Sequence, residues 1–472
     1  MDRQFSGRKS LSCLLDDDNI EDQSPSFHHL SQLQNRRLSC YTHFPLDASP
    51  LHPLSRLDKS LWTRTSFTSS SHPSLLYCCI SSLRHDGDLY SIAVSGDIVM
   101  TGSNSRRVHA WQSGDCHAIG YLQASSGEVR AMVAQGNMLF TSHKDHKIRV
   151  WSMRSHTCNN NTTNNFKPRK VTTLPNTNHF KNFVLRPTVP QNRLTCKPIT
   201  PQHKDIISCM AYYHIEGILY TGSFDKTVKA WKLNERKCTD SFIAHSDNIN
   251  DMVINQQNGY LFTCSSDGTV KMWLRVYGET SHALIKVLSF HAYPIYALAL
   301  SNQNQSSSFL YSGSFDGCIN FWEQEVSCQY NQGNRFLQGH QFAVLCLVAI
   351  ENFVISGSED ATIRIWRRSL EDRKAGCAHE CLTVLEGHRG PVRCLSAFLQ
   401  KDKFVVSFLV FSASLDQTFK VWRVKLLQEM KSSSGDGEDD MERKKSVEIE
   451  NGPVLSPSWV KRKLQSRSVN SV

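Results

Sequence analysis

Histidine, a hydroxyl residue, aspartate and tryptophan recur together along the middle of this chain, at offsets that invite a chemical interpretation. Six residues before Trp151, Trp231, Trp273, Trp322, Trp366 and Trp422 stand Asp145, Asp225, Asp267, Asp316, Asp360 and Asp416; before Trp111 the place is held by Ser105. Ten residues before each of these seven tryptophans is a hydroxyl: Thr101, Thr141, Thr221, Thr263, Ser312, Ser356 and Ser412. Twenty to twenty-eight residues before the aspartate comes a histidine, namely His203, His245, His291, His340 and His388. His85 holds that place in the first unit, and Ser125 replaces it in the second. Histidine near a carboxylate and a hydroxyl is the material of general acid–base catalysis. Its periodicity argues otherwise, because catalysis needs one unique site. The four groups can instead satisfy one another, and an unpaired buried polar group costs roughly 1–3 kcal/mol. The spacing therefore predicts structural His–hydroxyl–Asp–Trp networks, complete in units three to seven.

The elements that would hold such a network are strands. In the third unit Ile207 to Tyr212 alternates, Ile218 to Ser223 reads as a second strand, and Thr227 to Trp231 reads as a third after a tight turn at Phe224-Asp225-Lys226. Aspartate suits that turn because its carboxylate accepts backbone N–H bonds. No phosphate-cradling glycine loop or nucleophile elbow is present. Most of the sixteen cysteines stand singly at strand-like positions, among them Cys209, Cys264, Cys346 and Cys394. The cluster Cys377-Ala-His379-Glu-Cys381 lacks a second Cys/His pair at zinc spacing. No cofactor or metal is expected.

The pattern in Gly387-His388 and in Ser356-Gly-Ser-Glu-Asp360-Ala-Thr-Ile-Arg-Ile-Trp366 resembles the WD-repeat family over about residues 75 to 425. Over its whole length the chain also resembles the plant WD-repeat proteins of the JINGUBANG type. That similarity is carried by Cys381 to Leu395, Arg169-Lys-Val-Thr-Thr-Leu-Pro175 and Ser456-Pro-Ser-Trp459. The resemblance implies an all-β fold, a seven-bladed propeller of four-stranded blades. The last unit supplies three strands before Lys425, so the fourth is expected from Leu75 to Leu83. Such a closure leaves no long open edge. Trp151 and Trp231 lie 80 residues apart, against about 40 to 56 elsewhere. Residues 152–200, with eight Lys/Arg and no acidic residue, are expected to be a basic insertion in the 75–425 propeller.

The remaining sequence bounds the setting. A count of 53 Lys+Arg against 43 Asp+Glu gives a net charge of +10, most of it in that insertion. Residues 1–74, rich in Ser and Pro, and residues 426–472, with alternating charge blocks, are expected to be disordered tails. The first contains Ser39 after Arg36-Arg37-Leu38 and the second Ser456-Pro457, both matching kinase-site patterns. The N-terminal segment carries Asp16-Asp17-Asp18 and no secretory apolar block. The apolar run Phe404 to Ala413 is about half the length needed to cross a bilayer. A cytoplasmic or nuclear protein, not membrane-bound and monomeric, is expected.

Function is expected to be binding, without catalysis. The resemblance implies that partners are gripped at the residue before the turn aspartate and at those three and five after the histidine. On this chain those positions are Tyr90, Arg130, Lys144, Ile206, Phe224, Tyr296, Phe315, Leu345 and Leu415. Aromatic residues at turn tips, Phe224 and Phe315, suggest an apolar interaction patch. The expected role is a scaffold or regulator in plant signalling or development, with an acidic partner at the basic insertion. The alternative is a substrate receptor of a cullin-type ubiquitin ligase, whose family motif wants Asp directly after Trp. Here Gln112, Ser152, Lys232, Leu274, Glu323, Arg367 and Arg423 follow the seven tryptophans. Nucleic-acid binding fits less well, since aromatic residues in the insertion are sparse.

Overall fold

Alternation of apolar and polar residues every second position makes each repeat unit pair as antiparallel strands, and the computed structural model shows seven such sheets. The structure describes residues 68–69 and 75–427, apart from 86, 115, 125, 154–165, 167, 177–199, 290–291, 305–306, 325–329, 333–335, 370–377 and 402–404. Ser39, Ser456, His291 and most of both tails lie outside the described residues.

Two strands, β1 (Thr68–Ser69) and β2 (Leu75–Arg84), precede the first blade. That blade is β3 (Leu89–Ser95), β4 (Ile98–Ser103), β5 (Arg107–Gln112) and β6 (Ala118–Gln123). The second is β7 (Val129–Gln135), β8 (Met138–His143), β9 (Ile148–Ser152) and β10 (Arg169–Leu174). The third is β11 (Ile207–Tyr213), β12 (Ile218–Ser223), β13 (Thr227–Lys232) and β14 (Lys237–Ile243). The fourth is β15 (Ile249–Ile254), β16 (Leu261–Ser265), β17 (Thr269–Arg275) and β18 (His282–Ser289). The fifth is β19 (Ile295–Asn304), β20 (Ser307–Ser314), β21 (Ile319–Gln324) and β22 (Tyr330–Gln332). The sixth is β23 (Val344–Ile350), β24 (Phe353–Ser358), β25 (Ile363–Ser369) and β26 (Ala378–Leu385). The chain ends the propeller with β27 (Val392–Lys401), β28 (Val405–Ser414) and β29 (Thr418–Leu427).

The seventh sheet runs β27-β28-β29-β2-β1, so its fourth strand comes from the start of the propeller. The first strands of the blades neighbour one another in a closed circle, from β3 through β7, β11, β15, β19 and β23 to β27 and back to β3. The result is a seven-bladed β-propeller. Its core lies between blades. Trp273 of the fourth blade, for example, packs with Tyr220 and Val228 of the third and with Ile249 and Met252 of its own. Close approach of the second strand of one blade to the first strand of the next explains the small residue in the recurrent Ser/Thr-Gly-Ser. A Cβ on Gly313 would lie 2.6 Å from Val344 Cγ1.

Three boundaries differ from those expected. Residues 152–200 are not one insertion, because Arg169–Leu174 within them is the outer strand of blade two. Leu174 is fully buried there and packs with Ile207, Leu219 and Trp231 of the third blade. Strand β29 passes Lys425 because Leu426 is buried against Leu75 and Val424. Inside the expected N-terminal tail, β1 pairs with β2. The long apolar stretch Val405 to Phe411 belongs to the ten-residue strand β28, and Val406, Phe408, Val410 and Phe411 are buried. Among the described residues no helix is long and apolar enough to cross a membrane.

Candidate protein-binding face

The turn between the second and third strands of a blade and the loop entering its first strand meet at one face, and the repeated polar residues tie them together. In blade three, His203 shares its Nδ1 with Asp225 at 2.9 Å and its Nε2 with Thr221 at 2.8 Å. The Trp231 indole N–H donates to the same Thr221 hydroxyl at 3.0 Å. The same set closes in blade four through His245, Asp267, Thr263 and Trp273. Blade six repeats it with His340, Asp360, Ser356 and Trp366. Blade seven repeats it with His388, Asp416, Ser412 and Trp422. In blade five Trp322 is buried and the Asp316 carboxylate accepts the Cys318 N–H, while His291 lies outside the described residues.

A fifth member escaped the sequence reasoning. Thr227, Thr269, Thr362 and Thr418 donate their hydroxyls to the turn aspartates at 2.6–2.7 Å. The available signal was a threonine two residues after those aspartates. Burial opposes ionisation of Asp225, but the hydrogen bond and charge of His203, with donors from Thr227 and Lys204, hold the carboxyl well below the usual range. All these hydrogen bonds are made within the blade. Among the described residues no group of three His, Cys, Asp or Glu side chains could hold a metal. His379, from the Cys/His cluster, instead bonds the Tyr311 hydroxyl across blades at 3.1 Å.

Blade two solves the loss of its histidine differently. His143, two residues along the same strand, contacts the Thr141 hydroxyl at 2.8 Å, and Trp151 donates to that hydroxyl at 2.9 Å. Asp145 turns to Arg149, which grips it through two bonds of 3.1 and 2.7 Å. Burial, reinforced by the charge of Arg149 and opposed by Asp145, lowers the His143 pKa to about 4. A histidine with a lowered folded pKa stabilises fully above its unfolded value and loses that contribution as pH falls through the folded one. The window here is about 6.5 down to about 4, with a ceiling of roughly 3 kcal/mol. Thermal melts recorded against pH should therefore show His143→Gln flattening the decline between pH ~6.5 and ~4.5. Parallel profiles for the variant and the unaltered protein would exclude this role.

The rim positions fall into two groups. A register shift near the start of each first strand leaves an extra residue there, and Tyr90, Tyr296 and Leu345 are such residues. Arg130 occupies the wider shift in blade two and stacks its guanidinium 4.2 Å from the Tyr90 ring centre. It also donates to Glu128 at 2.7 Å, and the exposed Lys144 ammonium lies 3.9 Å from the same carboxylate. Tyr90, Arg130 and Lys144 thus form one polar sector through Glu128. The sequence reasoning missed Glu128, although it stands three residues after the histidine place.

The second group is aromatic. Phe315 lies 6.5 Å from Tyr296 and 6.4 Å from Tyr293, ring centre to ring centre. The adjoining loop of blade six presses against the same turn: a Cβ on Gly317, at φ +82°, would sit 2.6 Å from the His340 carbonyl and 3.1 Å from that of Phe342. Tyr293 is 49% exposed and Phe342 57%. Both stand two residues after the repeat histidine, an offset the sequence reasoning did not use. Phe224 is half-buried beside Ile206, to whose carbonyl its N–H donates at 3.0 Å, and it joins no aromatic group among the described residues. Among the described residues no ring contact joins Phe224 to Phe315, and blade four stands between the two blades that carry them. Leu345 and Leu415 are half-buried on blades six and seven.

The family described as WD domain, G-beta repeat matches residues 194–232, 236–273, 283–323, 332–367 and 379–423. Telomerase protein component 1 of Mus musculus is 22% identical over 350 residues, 72% of this chain and 10% of that protein. Ribosome biogenesis protein YTM1 of Kluyveromyces lactis is 24% identical over 168 residues, 33% of this chain and 34% of its own. The ribosome biogenesis protein WDR12 homolog of Nematostella vectensis is 26% identical over 128 residues, 26% of this chain and 27% of its own. The chain thus spans from a tenth to about a third of these relatives. These similarities support the repeat family and not specifically the plant proteins of the JINGUBANG type.

Proposed function

Because the chain is a seven-bladed WD-repeat propeller, we propose that it is a non-enzymatic scaffold that grips a protein partner on the face carrying the turn aspartates. The carrying observation is the aromatic group of Tyr293, Tyr296 and Phe315 with Phe342 on the adjoining loop, of which Tyr293 and Phe342 are exposed and Tyr296 and Phe315 half-buried. Partly exposed aromatics held by a scaffold anchor interfaces at little entropic cost. The polar sector around Glu128 adds charged contacts that would fix orientation more than affinity. A cytoplasmic or nuclear location suits such a role.

Two settings are open to this scaffold. The YTM1 and WDR12 relatives are named as ribosome biogenesis proteins, which supports a partner from ribosome assembly. Plant developmental signalling rests only on the resemblance described above. The ligase alternative is weakened because none of the seven tryptophans is followed by aspartate. Affinity purification of the chain, with mass spectrometry of what it retains, separates these settings by the partner recovered. Phe315→Ala combined with Phe342→Ala should weaken binding of that partner by more than about 2 kcal/mol while the thermal midpoint holds. Undiminished recovery by the folded double variant would move the interface off this group.

A further inference from the structure

Blade two carries a second feature, remote from the aromatic group. Lys147, Arg149, Lys170, Thr172, Thr173 and Asn176 line an open cavity of about 310 Å³ on its outer strands. Its charge follows from the missing histidine. In blades three, four and seven the lysine two residues before the tryptophan is absorbed by neutral oxygens. Lys229 donates to the Thr200 carbonyl and Ser241 hydroxyl at 2.6 Å, Lys271 to the Ala244 carbonyl at 2.8 Å and Lys420 to the Ser82 hydroxyl at 2.7 Å. In blade two that cation is Arg149, and it consumes Asp145, the one carboxylate at the cavity. Among the described residues Lys147 and Lys170 have no salt bridge.

The strand beneath the cavity supplies a second recognition element. β10 is the outermost strand of its sheet, and no described strand pairs with its outer edge. Such an edge accepts an extended peptide through main-chain hydrogen bonds. The propeller already does this once: β1 lies antiparallel on the outer edge of β2, with Thr68 opposite Tyr77. Lys147 and Lys170, set at one cavity with Thr172 and Thr173, suit a dianion with three acceptor oxygens better than a single carboxylate. We propose that this cavity binds a phosphoserine or phosphothreonine side chain presented by an extended peptide lying along β10.

The test is fluorescence anisotropy with the full chain and a labelled Ser-Val-Thr-Ser-pThr-Val-Ser-Val-Thr peptide at about 0.1 M salt. The phosphopeptide should bind at least about tenfold more tightly than its unphosphorylated counterpart and than free inorganic phosphate. Lys147→Gln with Lys170→Gln should cost about tenfold, whereas Lys226→Gln with Lys237→Gln, the same charge change on blade three, should not. N-methylation of alternate peptide amides should weaken binding comparably. Equal binding by the Lys147/Lys170 variant, or equal loss in the blade-three variant, overturns the site. Indifference to N-methylation, or inorganic phosphate competing as well as the peptide, overturns the extended-peptide ligand. Preferential binding of oligouridylate, lost in the same variant, assigns the cavity to nucleic acid instead.

Discussion

Soluble monomeric protein is expected to disappear when residues 1–84 are removed and to persist when only 1–70 are removed. The difference between these truncations is strand β2. It pairs with β29 from Leu75 opposite Leu426 to Arg84 opposite Thr418. Leu75 is fully buried and packs with Val406, Phe408, Val424 and Leu426. Without β2, the seventh blade loses its outer cover and β29 becomes a long apolar edge, the kind that recruits other chains. His85, which contacts the Thr101 hydroxyl of blade one at 3.1 Å, would be left at a free chain end. Size-exclusion chromatography and the cooperativity of the thermal transition report the outcome. Equal behaviour of the two truncations would mean that β2 does not seal the ring.

Trp273→Ala is expected to cost roughly 3–5 kcal/mol of unfolding free energy. The indole is nearly buried between blades three and four and lies 4.7 Å from the Phe242 ring. Its N–H bond to Thr263 is lost with it, although His245 still satisfies that hydroxyl. Trp273→Phe, which keeps much of the packing but not the donor, should cost less, about 1–2 kcal/mol. Equilibrium denaturation of both variants separates cavity from hydrogen bond. A midpoint for Trp273→Ala within a degree or two of the unaltered protein would show that this network is not structural.

The repeat networks were legible because their geometry is local. Thr221 lies opposite Lys229 and Leu219 opposite Trp231, so a hydroxyl and a tryptophan ten residues apart are diagonal neighbours on one hairpin. Any chain that folds that hairpin brings them together, and the offset can be counted along the sequence. Closure by Leu75 to Leu83 was legible for a related reason: a seventh unit one strand short implies a missing edge.

The outer strand of blade two was hidden because such a strand covers only one face. It carries neither the tryptophan nor the His–Asp landmark, and only Leu174 must be apolar enough to bury fully. The substitution of His143 for an absent histidine was equally invisible, since it depends on a side chain turning inward within one strand. The aromatic group depends on the ring itself. Tyr293 and Phe315 come from two turns of one blade and Phe342 from the next, 49 residues beyond Tyr293 in the chain. Residues that far apart meet only when blades pack side by side, so their grouping is a property of the closed propeller; the periodicity that builds each blade belongs to the sequence, because hairpin register is set by neighbours a few residues away.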